Sequence, residues 1–254
     1  MSVDYVHSAN IHTLEGPRSA LPKLFSEGMP ASLLDVGCGT GTWMRAAMDL
    51  GVADVFGIDG VEIPGERLLF PREYFLCRNL SEPVDLGRRF SAAICLEVAE
   101  HFEADSGKHL IQTLTKHADF VLFSAACPGQ TGQHHVNCQW PAYWQELFNQ
   151  CGYVCSDEVR WRIWEDSRVE PWYRQNLLIA RRDPTQAGKE PRIRAVLHPE
   201  IAKLILREAT LDQFPCHVAQ IERGQLPVGW YLGVPFRALA NKLGRRFSKA
   251  DLSD

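Results

Sequence analysis

Three glycines, at positions 37, 39 and 41, alternate with other residues directly after an apolar run in the stretch Leu33–Gly41. Glycine lets a backbone turn sharply and approach a ligand closely, because it has no Cβ atom. The next residues have helical spacing, so the N-terminus of a helix is expected to face that ligand. Asp59 ends the following apolar run, and a carboxylate there can accept hydrogen bonds from both hydroxyls of a ribose. This pattern indicates a site for a cofactor that contains a nucleoside.

A second group of reactive residue types is the run Glu97-Val-Ala-Glu-His101, which follows another apolar segment. His101 could take a proton from a hydroxyl or an amine, because the ordinary pKa of histidine lies near neutrality. Glu97, at the end of the apolar segment, is the second candidate catalytic residue. The alternative is structural: the glutamate caps a helix and the histidine lines the pocket.

The same run also offers ligands for a metal ion. Glu97, Glu100 and His101 supply two carboxylates and an imidazole within one tight turn, and His134 or His135 adds a later ligand. Of these two we prefer His135, which lies closer to the start of the next predicted helix. Oxygen ligands favour magnesium or manganese, and an added imidazole also suits zinc.

Alternating strands and helices are expected to position these residues. Strands are predicted at 31–36, 53–58, 73–77, 90–96, 120–124, 153–159 and 175–180. Helices are predicted at 43–50, 108–116 and 141–150, and Pro141 stands at a position typical of a first helical turn. Such alternation predicts an α/β fold, with a doubly wound, mostly parallel seven-stranded sheet and helices on both faces.

Three regions are expected along the chain. Residues 1–30 form an N-terminal helical cover, residues 31–183 form the cofactor-binding domain, and residues 184–254 form a linker and a helical extension. Apolar residues recur at helical spacing in 236–249, with five basic residues among them. A basic amphipathic helix of this kind can lie on an anionic membrane surface, or can pack on the domain or on a second subunit.

The glycine-rich stretch resembles the class I methyltransferases that use S-adenosylmethionine (SAM). The resemblance covers about residues 31–181 and rests on Asp35, the three glycines and Asp59. Dinucleotide oxidoreductases have Gly-x-Gly-x-x-Gly, whereas the spacing here is Gly-x-Gly-x-Gly with an acidic residue before it. The resemblance implies SAM as the cofactor. The cofactor-binding residues that it implies are Asp35, Gly37, Cys38, Gly39, Gly41, Asp59, Gly60, Asn79, Leu80 and Leu96.

The pattern Glu-x-x-Glu-His with a later histidine is similar to that of metal-dependent O-methyltransferases, among them small-RNA 2′-O-methyltransferases and ubiquinone-pathway enzymes. The segments 132–144 and 170–179 resemble an uncharacterised bacterial methyltransferase group that often accompanies glycan-building genes. Together these resemblances imply O-methylation of a hydroxylated small molecule or glycan, with a divalent ion as a possible aid. The alternatives are an RNA 2′-O-methyltransferase and a non-catalytic SAM-binding partner subunit.

Composition narrows the expected setting of the protein. The formal net charge is −4 over 254 residues, so no global charge draws the protein onto nucleic acid. The N-terminus lacks the features of a secretory signal, and no apolar run approaches the length that crosses a bilayer. We therefore expect a cytoplasmic enzyme; the sequence leaves the oligomeric state open.

Several aromatic residues could line an acceptor pocket: Trp140, Tyr143, Trp144, Trp161, Trp164, Trp172 and Tyr173.

Overall fold

A seven-stranded sheet organises the part of the chain that the computed structural model describes, residues 13–207. The strands are β1 Ser32–Val36, β2 Asp54–Asp59, β3 Phe75–Cys77, β4 Ala92–Leu96, β5 Phe120–Ser124, β6 Tyr153–Ser156 and β7 Leu178–Arg182. The helices are α1 Glu15–Leu24, α2 Thr42–Asp49, α3 Ala104–His117, α4 Pro141–Gln150, α5 Glu158–Trp161 and α6 Pro171–Asn176. Single 3₁₀ turns lie at Gly65–Arg67, Arg72–Tyr74 and Ala99–His101.

The order of the strands in the sheet is β3-β2-β1-β4-β5-β7-β6. The five strands from β3 to β5 are parallel, and β7 runs antiparallel to both β5 and β6. The predicted fold class is therefore confirmed. The chain winds outward in one direction from β1 and in the other from β4. Ligands of such sheets bind in the crevice outside the carboxyl ends of the strands at this switch point.

Helices cover both faces of the sheet, because the central parallel strands are apolar on both sides. Successive residues of β1 show this: Leu33 packs on one face with α1 and α2, and Leu34 packs on the other with α3 and α4. The indole of Trp144 in α4 is fully buried on the second face. The helices on both faces therefore stabilise the central strands, so that the carboxyl ends of β1 and β4 lie side by side.

The predicted strands 73–77 and 90–96 each begin two residues before the observed strands, and the largest errors in the predicted strand bounds concern the last two strands. The predicted strand 153–159 ends at Ser156, because the Ser156 hydroxyl accepts the Glu158 N–H and α5 begins there. The predicted strand 175–180 begins only at Leu178, because α6 starts at Pro171 and continues through Gln175 and Asn176. Residues 175 and 176 have buried polar side chains, and both find hydrogen-bond partners at the end of this helix.

The N-terminal and C-terminal predictions fall only partly within the described residues. Helix α1 lies in the predicted cover 1–30, and residues 199–207 are helical in the predicted extension. The predicted amphipathic helix 236–249 lies outside the described residues. Among residues 13–207, no helix has both the length and the apolar composition required to cross a lipid bilayer.

Candidate active site

The glycine loop follows β1 and is held against the ends of β2 and β4. The backbone N–H groups of Gly37 and Cys38 both donate to the Ile58 carbonyl. A Cβ atom at Gly37 would lie 2.4 Å from the Val98 side chain, so only glycine fits there without displacing the turn after β4. Gly41 has a φ of 85° directly before α2, a left-handed conformation that favours glycine. The loop therefore depends on its glycines for both conformation and packing.

Asp59 ties the glycine loop to the end of β2. The Gly39 N–H donates to one carboxylate oxygen at 2.8 Å, and the Val61 N–H donates to the other at 2.9 Å. Asp35, the last residue but one of β1, is buried as well. Burial raises the pKa of the Asp35 carboxyl well above its ordinary value, and the negative charge of Asp59 adds to the effect.

A cavity of about 240 Å³ opens at the carboxyl ends of the parallel strands, beside the glycine loop. The sequence-predicted cofactor residues that line it are Asp35, Gly37, Cys38, Gly39, Asp59, Gly60, Asn79, Leu80 and Leu96. Gly41 is outside this lining, and its Cα faces the Phe70 ring instead. All four sequence-predicted catalytic and metal-binding candidates also line the cavity: Glu97, Glu100, His101 and His135.

Three of these candidates form one cluster. A carboxylate oxygen of Glu100 and one nitrogen each of His101 and His135 all lie within 4.8 Å of one another. The Glu100 side chain is fully buried, and neither carboxylate oxygen has a hydrogen-bond partner of normal geometry among the described residues. Burial raises the pKa of Glu100 well above its ordinary value, and the charge of Glu97 raises it further. The cluster therefore contains a buried acid that lacks a compensating partner.

Both histidines of the cluster are oriented by backbone carbonyls. His135 Nδ1 lies 2.9 Å from the Gln130 carbonyl, which can only accept, so Nδ1 carries the proton and Nε2 keeps its lone pair. His101 Nδ1 lies 3.4 Å from the His134 carbonyl. Burial, with the neighbouring His135, lowers the pKa of His101 to about 4. Burial lowers the pKa of His135 as well, so both imidazoles are neutral at physiological pH.

The loop after β5 is fixed to the turn after β4, which brings the two halves of the cluster together. The N–H groups of Val136 and Asn137 both donate to the Glu100 carbonyl at 3.0 Å. Gly132 leaves room for the His135 ring, because a Cβ atom there would lie 2.3 Å from Nε2. His134 is exposed and does not line the cavity. The preference for His135 over His134 thus agrees with where the two side chains lie.

Glu97 lies apart from the cluster, in a network that sequence reasoning missed. Its carboxylate accepts hydrogen bonds from Gln130 Nε2 at 2.7 Å and from Asn176 Nδ2 at 3.2 Å. Asn176 Nδ2 also lies 2.9 Å from the Gln130 side-chain oxygen, which closes a ring of three side chains. These residues are 33 and 79 positions from Glu97 in the chain, and no local motif links them. The sequence offers one signal of this network, which is the polar pair Gln175-Asn176 directly before an apolar strand.

Only two of the aromatic candidates reach the cavity, and they are Trp172 and Tyr173 on α6. Tyr173 packs edge-on against Trp43 at a centroid distance of 5.1 Å, and Trp43 lines the cavity too. Trp144 belongs to the core, and Trp161, half exposed, lies outside the cavity lining. Five of the seven candidates therefore lie outside the cavity lining.

Comparison with known proteins agrees with this architecture. The family model described as "Methyltransferase domain" matches residues 10–165, which is more than half of the chain. Magnesium protoporphyrin IX methyltransferase (ChlM) from Synechocystis PCC 6803, solved with bound SAH, is 20% identical with a TM-score of 0.51; the match covers 67% of this chain and 83% of that chain. DesVI from Streptomyces venezuelae is 14% identical with a TM-score of 0.51, over 66% of this chain and 92% of that chain.

These two structural likenesses show a shared fold and do not extend to a shared substrate. No curated protein matches the chain in sequence. The match over residues 10–165 nevertheless includes the glycine loop, Asp59, and the Glu100 and His101 turn. The chain belongs to the methyltransferase-domain family and is a class I SAM-dependent methyltransferase.

Proposed function

We propose that this enzyme transfers the methyl group of SAM to a hydroxyl group of a small molecule or a glycan, with the aid of a divalent ion. The observation that carries the proposal is the cluster of Glu100, His101 and His135 at the wall of the cavity. A buried carboxylate without hydrogen-bond partners is costly unless another charge compensates it. A bound cation supplies that charge.

The order of the strands suggests how SAM lies in the cavity. Asn79 and Leu80 follow β3, Asp59 ends β2, and Leu96 ends β4, so the lining residues follow the sheet from one edge to its centre. The adenine is placed near Leu80 and the ribose near Asp59. The methionine end then extends toward β4, and the acceptor binds beyond it, over the ends of β4 and β5.

The residues of the cluster fit a divalent ion of the first transition series. Two neutral imidazoles and one carboxylate are a donor set that suits zinc, iron or manganese better than an all-oxygen site would. His135 Nε2 faces Glu100, while its Nδ1 is held by the Gln130 carbonyl, as is usual for metal-binding histidines. When bound, such an ion acts as a Lewis acid that makes an acceptor hydroxyl easier to deprotonate.

The basicity of the histidines favours metal binding over proton abstraction. A His101 whose pKa is about 4 is a weak base at neutral pH, whereas its neutral ring is ready to donate a lone pair to a metal. The role of the protein is then to align the acceptor with the sulfonium methyl group and to exclude water. Trp172 and Tyr173 supply flat apolar walls for this purpose.

The charges around the cavity favour an acceptor without phosphate groups. Four carboxyl side chains line it: Asp35, Asp59, Glu97 and Glu100. Among its described lining residues there is no lysine or arginine to bind a phosphate. This distribution supports a neutral hydroxylated small molecule or glycan over RNA, whose recognition depends on basic residues.

Metal titration and a methyl-transfer assay test the proposal. We expect calorimetry with Mn²⁺, Zn²⁺ and Mg²⁺ alone to show one site in the wild type, with manganese or zinc bound more tightly, and no site in Glu100→Gln. We expect labelled SAM to methylate hydroxylated acceptors, chelation to abolish transfer, and added metal to restore it. Absence of a metal site in the wild type would refute the metal, and transfer only to amines or to RNA would refute the acceptor class.

A further inference from the structure

The Glu97 carboxylate lies in a network of side-chain hydrogen bonds at the wall of the cavity. It is held by two amide side chains from different parts of the chain, Gln130 in the loop after β5 and Asn176 at the end of α6. Asn176 is 2% exposed and does not line the cavity, whereas Glu97 and Gln130 do. The arrangement therefore presents one carboxylate to the cavity and supports it from the protein side.

The backbone at Glu97 is also in an unusual conformation. Its φ is 57°, a left-handed value that is rare for residues other than glycine, asparagine and aspartate. The Glu97 N–H is held by the Ser124 carbonyl at 3.0 Å and by the Ser124 hydroxyl at 3.1 Å. Strained residues persist where the surroundings over-determine them, and such residues cluster at ligand sites. Both the backbone and the carboxylate of Glu97 are therefore held in defined positions.

The hydrogen bonds that Glu97 receives come from neutral groups. Amide donors stabilise a carboxylate but leave its negative charge uncompensated. Burial still raises the pKa of Glu97, although the bonds from Gln130, Ser124 and Asn176 oppose this effect. No lysine or arginine lies among the described residues of the cavity lining, and a cationic ligand would supply the compensating charge.

The methionine end of SAM carries the positive charges that could pair with Glu97. Glu97 directly follows β4, next to the glycine loop, and the orientation of SAM proposed above puts the methionine end of the cofactor there. That end bears an ammonium and a sulfonium, and a carboxylate binds either through a charge-assisted contact. Glu97 is also outside the cluster of Glu100, His101 and His135, so its carboxylate is not committed to a metal.

We propose that Glu97 is the counter-ion for the cationic methionine end of the cofactor, and that Gln130 and Asn176 are positioning residues that hold its carboxylate there. The group that pairs with Glu97 is a cation close to the methyl group that is transferred. Two sources exist, the ammonium, which SAM and S-adenosylhomocysteine (SAH) share, and the sulfonium, which only SAM carries. 5′-Deoxy-5′-methylthioadenosine keeps the adenosine and the sulfur but has neither cation.

Calorimetric titration with these three ligands tests the proposal, without metal or acceptor. In Glu97→Gln we expect SAM to bind about tenfold or more weakly, the loss of one charge-assisted contact, and methylthioadenosine to bind within about twofold of the wild type. An equal loss for SAH identifies the ammonium as the partner, and an unchanged SAH affinity identifies the sulfonium. Equal weakening of all three ligands, or no weakening of SAM, would overturn the proposal.

A double-mutant cycle separates positioning from folding. We expect Asn176→Leu to weaken SAM about threefold to tenfold in the wild-type background and by less than about twofold in the Glu97→Gln background, because its effect passes through the carboxylate. Asn149→Leu is a matched control, since Asn149 Nδ2 also donates to a carboxylate, that of Glu190, outside the cavity. The control should leave SAM affinity unchanged. The same loss in both backgrounds would mean that Asn176 is merely structural.

Discussion

The two ends of the cavity differ in how completely their polar groups are paired. At the cofactor end, both oxygens of Asp59 accept backbone N–H groups from the loops that they position. At the acceptor end, Glu100 is buried, and neither of its carboxylate oxygens has a hydrogen-bond partner among the described residues. Where the protein pairs its own polar groups, the site keeps its shape without a ligand and can bind the same cofactor in every turnover. A site that is incomplete gains stability only when a charged ligand enters it.

Removal of the Glu100 charge should reduce the difference between the two ends of the cavity more than any other change considered. In Glu100→Gln we expect turnover to fall about 100-fold, because the cluster of Glu100, His101 and His135 loses its carboxylate. We expect the metal-free variant to be more stable than the wild type by about 1–3 kcal/mol at pH 8, because a neutral amide is less costly to bury than an unpaired charge. Turnover with added metal and denaturant unfolding measure the two effects.

The pH dependence of that stability difference has a definite sign. A raised pKa in the folded state means that the unfolded chain releases the Glu100 proton at a lower pH, near 4.5. The penalty is therefore absent at low pH and grows as the pH rises from 4.5 toward the folded pKa. The variant should gain little at pH 5 and more at pH 8. A gain that is equal at both values would show that the charge is not its cause.

At the cofactor end, removal of the Asp59 carboxylate should have the next largest effect, on the binding of the cofactor. We expect Asp59→Ala to weaken SAH about 30-fold, because the variant loses a charged hydrogen-bond acceptor for the ribose and the support of the Gly39 and Val61 amides. Asp59→Asn keeps one acceptor oxygen, so its affinity for SAH should lie between those of the wild type and Asp59→Ala. Calorimetry with SAH measures this. Metal affinity should stay within about twofold of the wild type, and a parallel loss of metal would show that the two ends are not separate.

The same contrast explains what the sequence could and could not predict. The cofactor end consists of short-range patterns: a strand, a glycine loop and a helix within 33–50, and Asp59 after the next strand. The cluster of Glu100, His101 and His135 and the network around Glu97 require the turn after β4, the loop after β5 and the end of α6 to meet in space. Glu100, His101 and His135 could be proposed because their residue types bind metals, but Gln130 and Asn176 carry no such signal. Long-range contacts decide their roles.

A change of one methyl group in the loop after β5 should sharpen the distinction between the two ends. Gly132→Ala places a Cβ atom where the His135 ring lies, so the imidazole must turn away from Glu100. We expect turnover to fall about tenfold, as is typical of a small displacement in an active site, with SAH affinity unchanged. Gly65→Ala is the matched control, because the nearest atom to its new Cβ is 3.9 Å away. Wild-type turnover in Gly132→Ala would remove His135 from the site.

The smallest effect is expected next to that histidine. The His134 side chain is exposed, and the residue contributes to the site through its carbonyl, which lies 3.4 Å from His101 Nδ1. His134→Gly keeps this carbonyl and suits the φ of 52°, so relief of strain offsets the greater flexibility of the unfolded chain. We expect stability within about 0.5 kcal/mol of the wild type and turnover within about twofold. His135→Ala, in contrast, should lose both metal and turnover, because its Nε2 faces Glu100 at 3.9 Å. If the two variants lost turnover equally, the imidazole at 134 would be a ligand as well, and the cluster would extend to the exposed part of the loop.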